Sequence, residues 1–142
     1  AWEPVVGPDH WNHLSGLEVT IPEGWRGTTQ DDPALELKHT DGKVLVRITE
    51  AASLTVDATA WSMLRERRPC ERFAGSERCT TWTEVEVGGK GSVREVWLLD
   101  IPAGAYALQV VYPFGGVVAG TAFAAELLDG VGVTQTGLGS PD

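Results

Sequence analysis

The chain has 142 residues, a formal net charge of −9 and two cysteines, which suits one compact domain able to bury roughly 68–70% of its unfolded surface without a metal. Eleven lysines and arginines face twenty carboxylates, a balance that excludes nucleic acid as a partner, because such binding rests on basic residues that neutralise phosphates; it equally disfavours an anionic membrane surface. The longest apolar run, Val117 to Leu128, is interrupted by Glu126 and falls short of the ~20 residues of a membrane span.

Residues 1–13 read as an N-terminal arm, since Ala1 to Pro8 has the composition of a turn or linker. The chain opens on Ala1 with no initiator methionine, as expected of a mature exported protein or an excised domain. Within the arm, His10-Trp11-Asn12-His13 sets two imidazoles three residues apart, and Asp9 and His39 complete the choice of metal ligands. Neither a HExxH core nor a thiolate pair accompanies them, so they are read as polar residues at the chain entrance, with no metal and no cofactor expected.

A single domain is expected over 14–136. It opens on Leu17-Glu18-Val19-Thr20-Ile21, where apolar and polar residues alternate strictly, the period of a half-buried antiparallel strand. Pro22 ends it for want of an N–H. Leu35 and Leu37 then alternate with Glu36 and Lys38, and Val44, Val46 and Ile48 with Lys43, Arg47 and Thr49, around the hairpin signal Asp41-Gly42. A helix is predicted from Val56 to Arg68. Thr55 caps it, Asp57 sits in its first turn, and Arg65, Arg67 and Arg68 load its last turn before Pro69. Val56, Ala60, Met63 and Leu64 form its buried stripe, with Trp61 beside them.

Cys70 and Cys79 flank a polar, glycine-containing segment, where a disulfide would staple a loop of about ten residues and contribute ~2–3 kcal/mol by chain entropy. Two unrelated free thiols are the alternative. The spacing is neither the CxxC of a redox site nor that of a zinc knuckle, and a bridge implies an oxidising compartment. Val85 and Val87 lead into the glycine turn Gly88-Gly89-Lys90-Gly91. Val93 to Leu99 and Tyr106 to Tyr112 are apolar in both parities, so they are predicted as central strands covered on both faces. The covers would be the mid-chain helix and a second one from Val117 to Asp129, closed by Gly130 at C′. Residues 137–142 form a tail of linker composition.

The Ile-Pro-Glu-Gly-Trp opening, the mid-chain helix, the Gly-Gly hairpin, the strand ending Val111-Tyr112-Pro113 and the terminal helix together resemble the Mog1/PsbP-like superfamily, over roughly Leu14 to Val133. The resemblance implies an α+β fold, an antiparallel sheet of about six strands with helices on both faces in the order βββαβββα. It also implies a non-catalytic module of the bacterial lipoprotein or accessory-protein type.

No constellation of residues adds chemistry to that expectation. There is no Gly-x-Ser-x-Gly elbow, and Ser62 has no evident base. The Gly88 to Gly91 turn lacks the spacing of a phosphate loop, while Asp31-Asp32 and the Glu84/Glu86 pair read as exposed alternation and not as an acid–base pair or a calcium site. No catalytic residue is therefore assigned. Of the six tryptophans, Trp61 and Trp97 read as core. Trp82 shares a strand face with Glu84 and Glu86, Trp2 and Trp11 lie in the arm, where they either belong to a recognition patch or fold back to cap a sheet edge, and Trp25 follows the Pro-Glu-Gly turn. A binding site is placed at Trp25, Arg26, Thr28, Thr29 and Gln30, with Trp25 either its aromatic anchor or a plug at the end of the core.

The expected function is a non-enzymatic, extracytoplasmic binding or accessory module of a bacterial cell envelope, in the periplasm or at the cell surface, exported or lipid-anchored upstream of Ala1. Its expected partner is another protein or an envelope component, with the oligomeric state left open. An effector chaperone or immunity-type interaction protein is the first alternative, and an enzyme of unknown type the second.

Overall fold

The computed structural model describes residues 3–12, 16–30, 34–39, 43–53, 61–71, 73, 78–87, 91–102 and 104–133, the side chains at 3, 30, 34, 53 and 116–120 excepted. The elements are β1 (Glu3–Val6), β2 (Asp9–Asn12), β3 (Leu17–Ile21), β4 (Trp25–Gln30), β5 (Ala34–His39), β6 (Leu45–Glu50), β7 (Trp61–Pro69), β8 (Arg78–Glu86), β9 (Ser92–Ile101), β10 (Gly104–Pro113), α1 (Val117–Leu128) and β11 (Val131–Val133). Eight strands form one antiparallel sheet in the order β1-β4-β5-β6-β10-β9-β8-β7, and three form a second in the order β11-β3-β2.

This architecture corrects the expected α/β/α sandwich. Among the described residues there is one α-helix, and the chain is mostly strand. A single core joins the two sheets: Leu17, Val19 and Ile21 of β3, Val131 of β11 and Ala124, Leu127 and Leu128 of α1 pack with Leu35, Leu37, Val46, Ile48, Leu99, Leu108 and Val110 of the large sheet. The small sheet and α1 thus back one face of the large sheet, and the residues of opposite parity form its other face.

The predicted Val56–Arg68 helix is the main local error. Residues 54–60, with the proposed cap at Thr55, lie outside the described residues, and 61–69 is a strand paired to β8. The cause lies downstream, in the Cys70–Cys79 disulfide. Its Cα atoms are 5.1 Å apart, and Cys70 N–H donates to the Cys79 carbonyl at 3.0 Å, so the chain on either side of the bridge is held at strand-pairing distance. A helix would also have buried Met63 and Leu64, yet each is 50% exposed. The β7 edge is shifted in register between Met63 and Arg65 and again between Arg65 and Arg68. Bulges, arginines and a terminal proline are devices that protect an open edge from pairing with another chain.

Other expectations survive. Leu35, Leu37, Val44, Val46 and Ile48 are buried, and β5 and β6 pair antiparallel, although Asp41-Gly42 itself lies outside the described residues. Strands β9 and β10 do run near the centre, each pairing on both edges. The C-terminal helix forms as predicted. Gly130, however, is not the positive-φ cap expected of it, since it is absent from the glycines with positive φ. Its Cβ would stand 2.5 Å from the Thr20 carbonyl oxygen, and Thr20 N–H donates to the Gly130 carbonyl at 2.8 Å. Glycine is required there for close approach of the chain leaving α1 to β3.

The head is not an arm outside the domain, since β1 joins the large sheet and β2 the small one. Trp11 folds back, packs against the core and donates its indole N–H to Thr29 Oγ1 at 2.8 Å. Trp2 lies outside the described residues. Pro22 to Trp25 then form a tight turn closed by Trp25 N–H to the Pro22 carbonyl at 3.4 Å. Gly24, at φ 96°, supplies the positive φ that a type II turn needs at its third position. The turn carries the chain from the small sheet to the large one and drives Trp25 inward.

Trp25 is 0% exposed, which settles its role as a plug of the core and not an exposed anchor. Its ring meets His39 edge-on at 5.2 Å, and His39 stacks on Phe123 of α1 at 3.9 Å. Three rings therefore tie β4 and β5 to the helix. Trp25→Ala should cost about 3–5 kcal/mol in urea denaturation, as for other core tryptophans; a loss below about 1 kcal/mol would show the ring to be dispensable. The disulfide gives a second expectation. Protein denatured without reductant should show no titratable thiol, and reduction should lower the unfolding free energy by ~2–3 kcal/mol.

Candidate functional site

The face of the large sheet turned away from the core carries an ordered polar array. On β5 and β6, Glu36 and Arg47 stand directly opposite each other, and Arg47 Nη2 lies 2.5 Å from Glu36 Oε2. With the two side chains 47% and 33% exposed, this pair contributes at most ~1 kcal/mol. Gln109 of β10 stands opposite Arg47. Beyond it, Arg94 Nη1 donates to Gln109 Oε1 at 3.5 Å, and its Nε and Nη2 donate to Glu84 Oε1 at 2.8 and 2.5 Å. The side chains of Arg94 and Glu84 are only 9% and 10% exposed, so each neutralises a charge that would be costly to bury alone. The Trp61 ring lies 4.4 Å from the Arg94 guanidinium.

Trp61 is therefore half-buried over a cation on this face, not in the core as its pattern suggested. Trp82, 2% exposed, lies beneath the Arg67 guanidinium at 4.3 Å, and it offers no open aromatic surface. Trp97 is a core residue, as expected. Glu84 is absorbed by Arg94 and is not one of an exposed acidic pair. The Glu84–Arg94 partnership was not readable from the sequence, because counting outward from Gly88 and Gly91 sets Glu84 against Glu95, one residue away from the register in which Glu84 faces Arg94.

At the other end of this face, a groove of about 380 Å³ runs over β1, β4 and β5, lined by Pro4, Val5, Val6, Arg26, Gly27, Thr28, Glu36 and Lys38. Two of the predicted binding residues, Arg26 and Thr28, meet in it. Thr29 has the opposite parity and serves Trp11, Trp25 is core, and the side chain of Gln30 lies outside the described residues. Arg26 and Lys38 are direct cross-strand partners, and both are exposed. Like charges set opposite each other in a sheet repel, and no ion pair within the described residues relieves either one. Thr28 supplies a half-buried hydroxyl, and Val6, 62% exposed, an apolar wall.

The histidines are not gathered. His10 is exposed on β2, 3.4 Å from the Thr20 hydroxyl, His39 is half-buried and stacks on Phe123 at the margin of the core, and His13 lies outside the described residues. Asp31 and Asp32 lie outside them too. Among the described residues, no three histidine, cysteine or acidic side chains cluster as metal ligands. No helix among them is long and apolar enough to cross a membrane.

On the core side of the sheet, the Tyr112 hydroxyl donates to Glu95 Oε2. Burial, then the hydrogen bond and charge of Glu95, push the Tyr112 phenol far above its usual value near 10. The neutral phenol is thus favoured by the fold, so its contribution to stability is complete below the unfolded value, near 10, and declines as pH rises above it. Unfolding free energies measured from pH 8 to 11.5 should fall above about pH 10, and Tyr112→Phe should flatten that fall. An unchanged slope in the variant would refute the assignment.

Comparison with family models, with curated proteins and with solved structures found no match for the chain, so nothing beyond its own residues supports the resemblance to the Mog1/PsbP-like superfamily.

Proposed function

We propose that the chain is a non-enzymatic binding or accessory module that works outside the cytoplasm, and that it recognises acidic groups of a partner protein or envelope component through the groove over β1, β4 and β5. The observation that carries this reading is the Arg26–Lys38 pair. The fold sets two cations opposite each other with no counter-ion paired to either among the described residues, at a cost that a carboxylate from outside would offset. The adjoining Thr28 hydroxyl and the apolar wall of Pro4 and Val6 give such a partner hydrogen-bonding and packing surface. In a chain of net charge −9, a local pair of exposed cations also attracts an acidic partner to this face. The Cys70–Cys79 disulfide supports an oxidising compartment.

Hexaglutamate, titrated into the labelled protein and followed by NMR, should shift the amides of β1, β4 and β5 saturably, whereas hexaglutamine should not. Added salt should weaken the effect, since the cations are exposed and screened. The double variant Arg26→Ala, Lys38→Ala removes only exposed side chains, so it should fold normally and lose the response. Equal response to both peptides, no response at all, or a response that survives in the double variant would overturn the assignment of the groove.

A further inference from the structure

A second opening lies on the opposite side of the large sheet, between α1 and β9. It is a cleft of about 230 Å³ lined by Glu95, Trp97, Thr121, Ala124, Ala125 and Leu128. Glu95 has the core-facing parity of β9. Its neighbours of the same parity, Val93 and Trp97, are 3% and 8% exposed, and Thr83 and Val110, its cross-strand partners, are 6% and 0% exposed. Glu95 itself is half-buried, a carboxylate held among buried neighbours at the mouth of the cleft, where a partner charge from outside can reach it. Among the described residues no cation pairs with it, and the hydrogen bond from Tyr112 falls on Oε2. Above it, α1 presents small side chains, Thr121, Ala124 and Ala125, where larger ones would have closed the gap.

We propose that this cleft binds a small organic monocation, an alkylammonium or quaternary ammonium group, with its charge at Glu95 and its carbon substituents against Trp97, Ala124 and Leu128. Each wall supplies what such a group requires. The carboxylate is the counter-ion, and a tryptophan face is the strongest aromatic partner for a cation. The alanine and leucine side chains receive the methyl or methylene groups. A calcium or magnesium ion is a poor fit, since it takes six or more oxygens and the cleft offers one carboxylate. The volume lies below the range of drug-sized pockets, so it admits a group of a few carbons. The net charge of −9 raises the local concentration of cations around the molecule. The Tyr112 hydroxyl donates to Oε2 and so fixes the orientation of the carboxylate.

The cleft and the groove lie on opposite faces of the sheet, so the two assignments fail independently. Tetramethylammonium chloride, titrated at constant ionic strength against sodium chloride, should shift the indole N–H resonance of Trp97 and the amides around Glu95 saturably. The neutral analogue tert-butanol should not. Glu95→Gln keeps the shape, removes the charge and should weaken binding by roughly tenfold or more. Ala125→Leu fills the cleft from a half-buried position on α1 while leaving Glu95 intact, and it should abolish the response with little change in melting temperature. Absence of saturable shifts up to about 100 mM, far above the millimolar affinity expected of a single paired charge, would overturn the proposal. So would equal response to tert-butanol, or undiminished binding in Ala125→Leu.

Discussion

The parity of the eight-stranded sheet constrains everything else in the molecule. All of its strands but the exposed edge β7 send one set of side chains into the core shared with β3, β11 and α1, and the other set onto a face that no second layer of regular structure covers among the described residues. On the core side the solution is conventional, a continuous set of Leu, Val and Ile with Trp25 at one end and Trp97 near the other. On the opposite side the centre of the sheet is too wide to stay wet. Val96 and Ala107 are fully buried there, and the polar groups among them must satisfy one another. Arg94 does most of this by joining Glu84 to Gln109 beneath the Trp61 ring. Removal of either ion would strand the other in a water-poor site, where an uncompensated charge costs several kcal/mol.

The places that break this order are where recognition is inferred. A sequence specifies its fold most sharply when local rules agree, and departures from them concentrate at functional positions. Arg26 and Lys38 depart by opposing like charges on neighbouring strands, and Glu95 departs by placing a carboxylate on the core-facing parity. Neither departure is needed for packing. The Glu36–Arg47 and Glu84–Arg94 pairs show what the sheet does when charge serves the fold alone, because each carboxylate there meets a guanidinium across one strand interval.

The disulfide acts at a different level, on topology. Its ring joins β7 to β8 and so decides that the arginine-rich segment beyond residue 60 lies flat at the sheet edge. Without that closure, the segment's helical signals would have no long-range competitor, since a helix is assembled from local contacts and a strand from distant ones. The bulges on β7 follow from fitting an irregular, charged sequence to the regular ladder of β8. They leave an edge poorly suited to pairing with another chain.

The sequence by itself determined those elements whose signals are local. The alternation in Leu17 to Ile21 and in residues 35–38 and 43–49 fixed strands and their buried faces, the Pro22-Glu23-Gly24 turn fixed the reversal before Trp25, and the cysteine spacing fixed the staple. The apolar run after Val117 fixed the helix. Only the tertiary structure decided where those faces point. Trp25 became a core residue because β4 enters the large sheet at the point where His39 and Phe123 close over it, and Arg26, one residue on, reached the opposite face by parity alone. The Arg65 to Arg68 cluster became an edge because the bridge at Cys70 outweighs helical propensity, which contributes only tenths of a kcal/mol per residue. Likewise the head became two strands because two open edges were available to it, one in each sheet. The pairing of Arg26 with Lys38 and the place of Glu95 beside Thr83 and Val110 are properties of register, and register is set by contacts between segments far apart in the chain.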